Sequence, residues 1–440
     1  MLDFAAVPEP PQAHRLNVIP RDQHCISRDN ISDSALKVMS RLRKAGHQAY
    51  LVGGAVRDLL LGGHPKDFDI ATDATPEAVD DLFRNARIIG RRFRIVHVRF
   101  GREVIEVTTF RGHHSDDDTG AHAQQSESGV LLRDNVYGTL EEDAVRRDLT
   151  VNALYYDAGK FEVFDHVGGL EDLEDRLIRV IGDPRQRYTE DPVRMLRVLR
   201  FAAKLDFDIE AVTADAIDDC AHLLADIPAA RLFDEFLKLF MSGYARSTLD
   251  ELIEFDLLQY LFPEASALLN EDDTALALVR GAMANTDQRI AEGKSVTPAF
   301  LLAALLWPEV QREALGQEED DGVAPLMAIN SAGQLAVSEA VRHISIPRRF
   351  SQPMREIWEF QPRLTRRKGR KAAELVDHRR FRAAYDFLLL REAAGEDTGD
   401  LGAFWTNLQA LPFEERLELT GAGGSKKRRP RKRRPQQGQA

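Results

Sequence analysis

The stretch HPKDFDIAT, residues 64–72, alternates acidic and apolar side chains directly after a Gly/Pro turn. Period-two alternation is the signature of a half-buried strand. It places Asp67 and Asp69 on one face and Phe68 and Ile70 on the other, so the fold must provide a core beneath the second pair and a cation or open water above the first. At about 3.3 Å rise per residue the two acids sit ~6.6 Å apart along the strand, near enough to converge on a metal pair. A solvated strand edge is the plainer reading, but it gives no reason to keep two like charges on one face.

The flanking sequence builds an α/β domain around that strand. SDSALKVMSRLRKAGHQ carries Ala35, Val38, Met39 and Leu42 at helical spacing behind Ser32, a candidate cap. AYLVGG reads as a buried strand, AVRDLLLG as a short helix ended by Gly62, and TPEAVDDLFR as a capped helix. RIVHVRFG and REVIEVTTF form two strands joined at a glycine turn. Residues 112–134 are polar and Gly/Ser-rich and are expected to form a long mobile loop. Beyond Asp191 the pattern is helical almost throughout, with breaks expected at 226–230, 262–265, 316–325 and 345–350. The expected fold class is an α/β head followed by an all-α neck and body, a multidomain α+β chain. Its expected divisions are a flexible leader at 1–30, the head at 31–180, a neck at 181–275, a body at 276–424 and a disordered basic tail at 425–440.

Composition narrows the classes further. At 440 residues and 43% hydrophobic, the chain is long enough for more than one core. Its longest apolar run, AFLLAALLW at 299–307, is too short to span a bilayer, and its start lacks the pattern of a signal peptide, so a cytoplasmic protein without a stable membrane segment is expected. Cys25 and Cys220 are far apart in sequence and belong to no metal-binding spacing, so any metal would be held by oxygen. Net charge is −12, yet the end of the chain concentrates Lys426, Lys427, Arg428, Arg429 and four further cations between prolines. Such a block has nothing to bury and reads as a polyanion-binding arm or a solubility tail.

Three constellations carry chemistry. Gly53 and Gly54 stand where a strand passes into a helix, a place where bare N–H groups suit phosphate oxygens, with Arg57 one turn on; a tight structural turn explains the glycines equally well. Glu106 is the lone acid of VIEVTTF, and if its strand lies beside the one carrying Asp67 and Asp69, the three form an oxygen site suited to Mg²⁺. In YTEDPVRMLRVLRFAAKL, Asp191, Arg194 and Arg197 share one helix face opposite Met195, Leu196, Leu199 and Ala203, and by spacing alone Asp191 is an N-cap.

In this order and spacing, LVGGAVRDLLLGGHPKDFDIAT, IEVTTFRG, RRDLTVNALYYD and YTEDPVRMLRVLRFAAKL resemble the motifs of the bacterial poly(A) polymerase and CCA-adding enzyme family, class II of the DNA polymerase β-like nucleotidyltransferases, over roughly residues 24–265. The resemblance implies a nucleotidyltransferase head in which Asp67, Asp69 and Glu106 bind Mg²⁺ or Mn²⁺ and carry catalysis. It implies nucleotide contacts from Gly53, Gly54, Arg57, Arg111, Arg147, Asp148, Asn152 and Arg197. Asp191 and Arg194 would match the base edge, an acceptor and a donor for adenine. GRRFR resembles the poly(A) polymerase form rather than the CCA-adding one, and its Arg91, Arg92 and Arg94 would contact RNA. Arg366, Arg367, Lys368 and Arg370, with the basic tail, would contact RNA, although a solvated helix face is the usual fate of such a run.

The expected activity is therefore template-independent transfer of AMP from ATP to RNA 3′ ends, whether of mRNA, regulatory RNA or tRNA precursors, with pyrophosphate released. CCA addition to tRNA is the rival within enzymes. An inactive nucleotidyltransferase-like RNA-binding protein is the rival from another class, and the intact acid triad speaks against it. Protein partners are not legible in the sequence.

Overall fold

The computed structural model describes residues 16–90, 94–112, 123–125, 131–134 and 136–422. These divide into two compact units, a coarser partition than the five expected segments. The first unit runs to Pro228 and takes in Asp250–Tyr260; the second comprises Ala229–Leu249 and the chain from Leu261 onward.

An eight-stranded mixed sheet forms the centre of the first unit. Its strands are β1 (Asn17–Ile19), β2 (Ala49–Val52), β3 (Asp69–Thr72), β4 (Ala86–Ile89), β5 (Ile95–Phe100) and β6 (Glu103–Thr109). The short pair β7 (Ala123–Gln125) and β8 (Leu131–Asp134) forms its own two-stranded sheet, and β9 (Leu154–Asp157) and β10 (Glu162–Asp165) complete the main one. The spatial order is β1-β10-β9-β2-β3-β6-β5-β4. Every neighbouring pair is antiparallel except β3 and β6, which run parallel.

Alternation along these strands sorts the side chains as the sequence requires. Leu51, Ile70, Val107 and Val96 are register neighbours and essentially inaccessible to solvent. The helix Asp33–Lys44 packs on β2, β3 and β6 through a buried stripe of Ala35, Val38, Met39 and Leu42. Ser32 caps it by accepting a hydrogen bond from the Ala35 N–H at 3.1 Å. On the opposite face Val52, Ala71, Phe110 and Tyr155 pack with Ala144, which comes from the short helix Leu140–Val145.

Two expectations are corrected. The stretch taken as a flexible leader folds from residue 17, because Ile19 and Ile26 are buried and β1 adds an edge to β10. The segment 112–134 is not loop throughout, since β7 and β8 pair within it, and the rest of that segment lies mostly outside the described residues.

The second unit is helical. The apolar run becomes the helix Pro298–Leu305, in which Ala299 and Leu301–Leu305 are buried all round. It packs on Arg348–Leu364, and Trp358 of that helix donates its indole N–H to the Ala303 carbonyl at 3.0 Å. A second core joins Phe360, Leu364, Phe381, Tyr385, Leu388 and Trp405. The acidic stretch stays helical to Asp321 and stops at Gly322, whose left-handed φ of 65° ends the Trp307–Asp321 helix. No helix among the described residues is long and apolar enough to cross a membrane.

The buried sheet row predicts a sharp contrast between two truncations. Leu51→Ala should cost about 2–5 kcal/mol in chemical denaturation, whereas Val104→Ala, on the half-exposed face of β6, should cost less than about 1 kcal/mol. Equal losses would mean that this row is not the core of the head.

Candidate active site

The row of register partners next to the buried one runs Tyr155, Val52, Asp69, Glu106, His97 and Arg87. Its first two members are buried, Asp69, Glu106 and His97 are half-buried, and Arg87 is exposed. Asp69 opens β3, and parallel pairing sets it directly beside Glu106. Asp67 precedes the strand and is exposed, with Phe68 buried between the two acids. Burial pushes the Asp69 carboxyl up to about 6, with Glu106 and Asp67 adding to the rise and Arg147 opposing it. The Glu106 carboxylate, 45% exposed, accepts a hydrogen bond from His97 Nε2 at 3.0 Å.

These acids are hard oxygen donors whose crowding Arg147 offsets only in part, which fits a divalent cation of the Mg²⁺ kind. Among the described residues no three His, Cys, Asp or Glu side chains lie close enough to enclose an ion. The set is one-sided, as suits an ion whose remaining positions go to substrate phosphates and water.

Facing the acids is the polar cluster of RRDLTVNAL. Arg147 donates through Nε to the Tyr155 hydroxyl at 2.8 Å and through Nη2 to Asp143 Oδ2 at 3.1 Å, and Tyr155 donates to the same carboxylate oxygen at 2.6 Å. The Arg111 backbone N–H donates to the other Asp143 oxygen at 3.1 Å. Despite burial, Tyr155 and Asp143 hold the Arg147 guanidinium firmly charged. Gly53 has φ 72°, a left-handed conformation that favours glycine, and a Cβ there would stand 3.7 Å from Arg147 Nη1, an ordinary contact.

Arg57 is 1% exposed and committed internally. It donates to Asn152 Oδ1 at 2.6 Å and, through Nε and Nη2, to Asp58 Oδ1 at 2.8 and 2.6 Å. Arg57 and Asn152 are therefore one buried unit, tying the Gly54–Leu60 helix to the segment after Arg147.

The third group extends from Asp148 to Arg197. Burial raises the Asp148 carboxyl, but Arg197, 2.6 Å away, together with the Leu149 N–H and Arg194, overrides it and holds the group ionised below its ordinary range. YTEDPVRMLRVLRFAAKL is not one helix but two, Pro184–Glu190 and Val193–Leu205. Pro192 forces the break, and Asp191 ends the first helix rather than capping the second with its side chain. Arg187 donates to the carbonyls of Arg146 and Arg147 at 2.6 and 2.7 Å, and burial beside Arg194 lowers its pKa to about 10. Glu190 accepts from Arg187 at 2.9 Å and from Arg194 at 3.0 Å. Ala202 rather than Ala203 takes the buried position on the second helix.

Several of these groups escape a sequence reading. Asp143, Tyr155, Arg187, Glu190 and His97 all hold expected site residues in place, and only Asp143 had a local signal, four residues before Arg147 on a helix. Of the residues expected to meet RNA, Arg94 is ion-paired to Glu77 at 2.6 Å and Arg370 to Glu374 at 2.7 Å, and Arg367 donates to the Gly399 carbonyl. Arg366 and Lys368 are exposed. Arg91, Arg92 and the basic tail with Lys426, Lys427, Arg428 and Arg429 lie outside the described residues.

Comparison with known proteins places the chain. Residues 49–179 match the poly A polymerase head domain, 206–269 the "probable RNA and SrmB- binding site of polymerase A", and 321–438 the polymerase A arginine-rich C-terminus. Poly(A) polymerase I of Salmonella typhimurium is 47% identical over 431 residues, 96% of this chain and 93% of that one. The CCA-adding enzyme of Bacillus pumilus is 40% identical, but over only 52% of this chain and 54% of its own. Among solved structures, the Bacillus stearothermophilus CCA-adding enzyme in complex with CTP superposes with a TM-score of 0.56 at 26% identity, covering 87% of this chain and 81% of that one. A head built on the Asp69–Glu106 pair and a relationship that runs through all but a few per cent of the sequence lead to one conclusion: the chain belongs to the poly(A) polymerase family.

Proposed function

We infer that this chain is a polynucleotide adenylyltransferase that extends RNA 3′ ends with AMP from ATP, without a template, in the cytoplasm. One observation favours poly(A) over CCA addition. Similarity to poly(A) polymerase I extends over 96% of the chain, whereas similarity to the CCA-adding enzyme covers about half.

In this reaction the RNA 3′-hydroxyl oxygen attacks the α-phosphorus of ATP, the bond to the β-phosphate breaks, and pyrophosphate leaves with the electron pair. Asp69 and Asp67, with Glu106 alongside, are the residues that would hold the divalent metal. When bound, such an ion polarises the α-phosphate and lowers the pKa of the attacking hydroxyl. The remaining work falls to the chain's own groups. Arg147, clamped by Asp143 and Tyr155 beside Gly53, presents fixed positive charge to the triphosphate. Asp148, kept ionised by Arg197, accepts from the ribose hydroxyls. Arg57 acts through Asn152, which it orients from a fully buried position. Asp191 and Arg194 read the base edge, with Glu190 and the Arg187 carbonyl fixing the Arg194 guanidinium.

The direct test incubates the protein with Mg²⁺, a generic single-stranded RNA and each nucleotide separately. Long products from ATP alone are expected; incorporation of CTP confined to tRNA lacking its end would overturn the assignment.

Asp143→Asn should raise KM for ATP and lower kcat/KM by about tenfold to a hundredfold, since Arg147 and Tyr155 would lose a charged acceptor worth about 1.5–3 kcal/mol. Wild-type kinetics would remove Arg147 from the triphosphate site.

Asp69 links function to stability. Its carboxyl binds a proton more tightly in the folded chain than at its ordinary value of 3.8, so the native state loses stability as pH rises from there to about 6 and changes little above it. Asp69→Asn should therefore abolish nucleotide addition yet stabilise the metal-free protein at neutral pH by on the order of 1–2 kcal/mol, with the gain vanishing in acid. Thermal melts across pH, with and without Mg²⁺, check this. A variant less stable than wild type at neutral pH would contradict the crowding of charge at this position.

A further inference from the structure

The helix Arg348–Leu364 carries two hollows side by side on its first three turns. One, of about 370 Å³, is walled by Phe300, Phe350, Pro353 and Ile357 with Arg349 and Arg380 at its rim. The other, of about 400 Å³, is lined by Arg348, Ser351, Gln352 and Arg355 together with the carboxylates of Glu356 and Glu359. The ion pair between Arg380 and Glu356 joins the rims of the two. Both volumes fall in the range of sites that hold a small organic group.

Charge at this place is unlike that of its surroundings. Arg363, Arg370, Arg379, Arg380, Arg382 and Arg391 are each ion-paired to a carboxylate. Arg348, Arg349 and Arg355 make no ion pair with any described residue. Arg348 and Arg355 share their hollow with Glu356 and Glu359 without pairing to them, and the Arg349 guanidinium lies over the Phe350 ring at 4.8 Å. An arginine–aromatic pair beside a second half-exposed ring is a stacking platform for a planar base, and free guanidinium groups on either side match its phosphates.

We propose that Phe300, Phe350 and Arg349, flanked by Arg348 and Arg355, seat one unstacked nucleotide of single-stranded RNA. The base enters the apolar hollow against Phe300 and the Arg349–Phe350 pair. The adjoining phosphates lie along Arg348 and Arg355, on the side away from Glu356, which Arg380 neutralises, and Ser351 and Gln352 offer hydrogen bonds to the neighbouring sugar. The seat rests on the reading of the chain as an RNA-extending enzyme and adds to it a hold on the body of the RNA that recognises single-strandedness rather than sequence.

Binding of a labelled oligoadenylate and of a blunt RNA duplex to the full-length protein, measured by fluorescence anisotropy across a salt series, tests the seat. The double variant Arg349→Glu/Arg355→Glu should weaken the single strand by about tenfold or more and flatten its salt dependence by the equivalent of about two phosphate contacts. Phe350→Leu, which keeps an apolar side chain against Phe233, should weaken the single strand by about fivefold or more with its salt dependence unchanged and duplex binding unaffected. Arg342→Glu, an exposed reversal on another helix, should leave both affinities as they were. Losses no larger than those of Arg342→Glu would overturn the seat, as would equal losses for the single strand and the duplex. Photocrosslinking of 5-iodouridine RNA to the wild-type protein guards against a misfolded variant: adducts on peptides containing Phe300 or Phe350 are expected, and their absence would refute the proposal. Because the readout is binding, a protein that crosslinks here but adds no AMP would sink the functional reading alone, and one that makes poly(A) with unaltered RNA affinity in the variants would sink only the seat.

Discussion

Parallel pairing of β3 with β6 is the constraint on which the head depends. It is the one parallel contact in an otherwise antiparallel sheet, and it sets Asp69 against Glu106 across a strand spacing. Two acids at that distance oppose folding unless one keeps a proton or a cation arrives. The sheet tolerates them because the next row, through Leu51, Ile70 and Val107, is fully buried and the helix Asp33–Lys44 packs over β2, β3 and β6. A well-packed apolar row thus holds open an electrostatic demand one residue away.

The arginines of the site, of which Arg147 opposes the charge at Asp69, are braced by partners of their own. Arg147 is fixed by Asp143 and Tyr155, Arg194 by Glu190, and Arg197 by Asp148. None of these guanidinium groups relies on substrate to choose its place. Preorganised charge of this kind stabilises developing charge without reorganisation during the reaction.

Much of this arrangement was legible in the sequence where a period is long enough to register. Alternation in DFDIAT and VIEVTTF announced β3 and β6, and the helical spacing of Ala35, Val38, Met39 and Leu42 announced the helix over them. The strand β1 was not legible, since three residues leave no pattern to count and its partner β10 is remote in sequence, and β4 was not, since its two isoleucines are adjacent and do not alternate. Arg57 shows a second limit. Its position one turn into the helix suggested a group facing phosphate, but whether an arginine points outward or is buried depends on Asn152, 95 residues away. Pro192 shows a third, because a proline that could begin a helix also ends the one before it.

Arg187 is not among the groups assigned to the nucleotide, yet it donates to the carbonyls of Arg146 and Arg147 from the same helix that ends at Asp191. It ties the segment bearing Arg147 to the end of the helix that reaches Asp191, so the placement of one fixes the placement of the other. Under the roles proposed for Asp191, Arg194 and Arg147, a base that seats badly meets groups already fixed by the chain, and it is the nucleotide that is displaced. On that proposal, selectivity would act on the rate of transfer more than on occupancy: a wrong nucleotide would bind, but be held out of line.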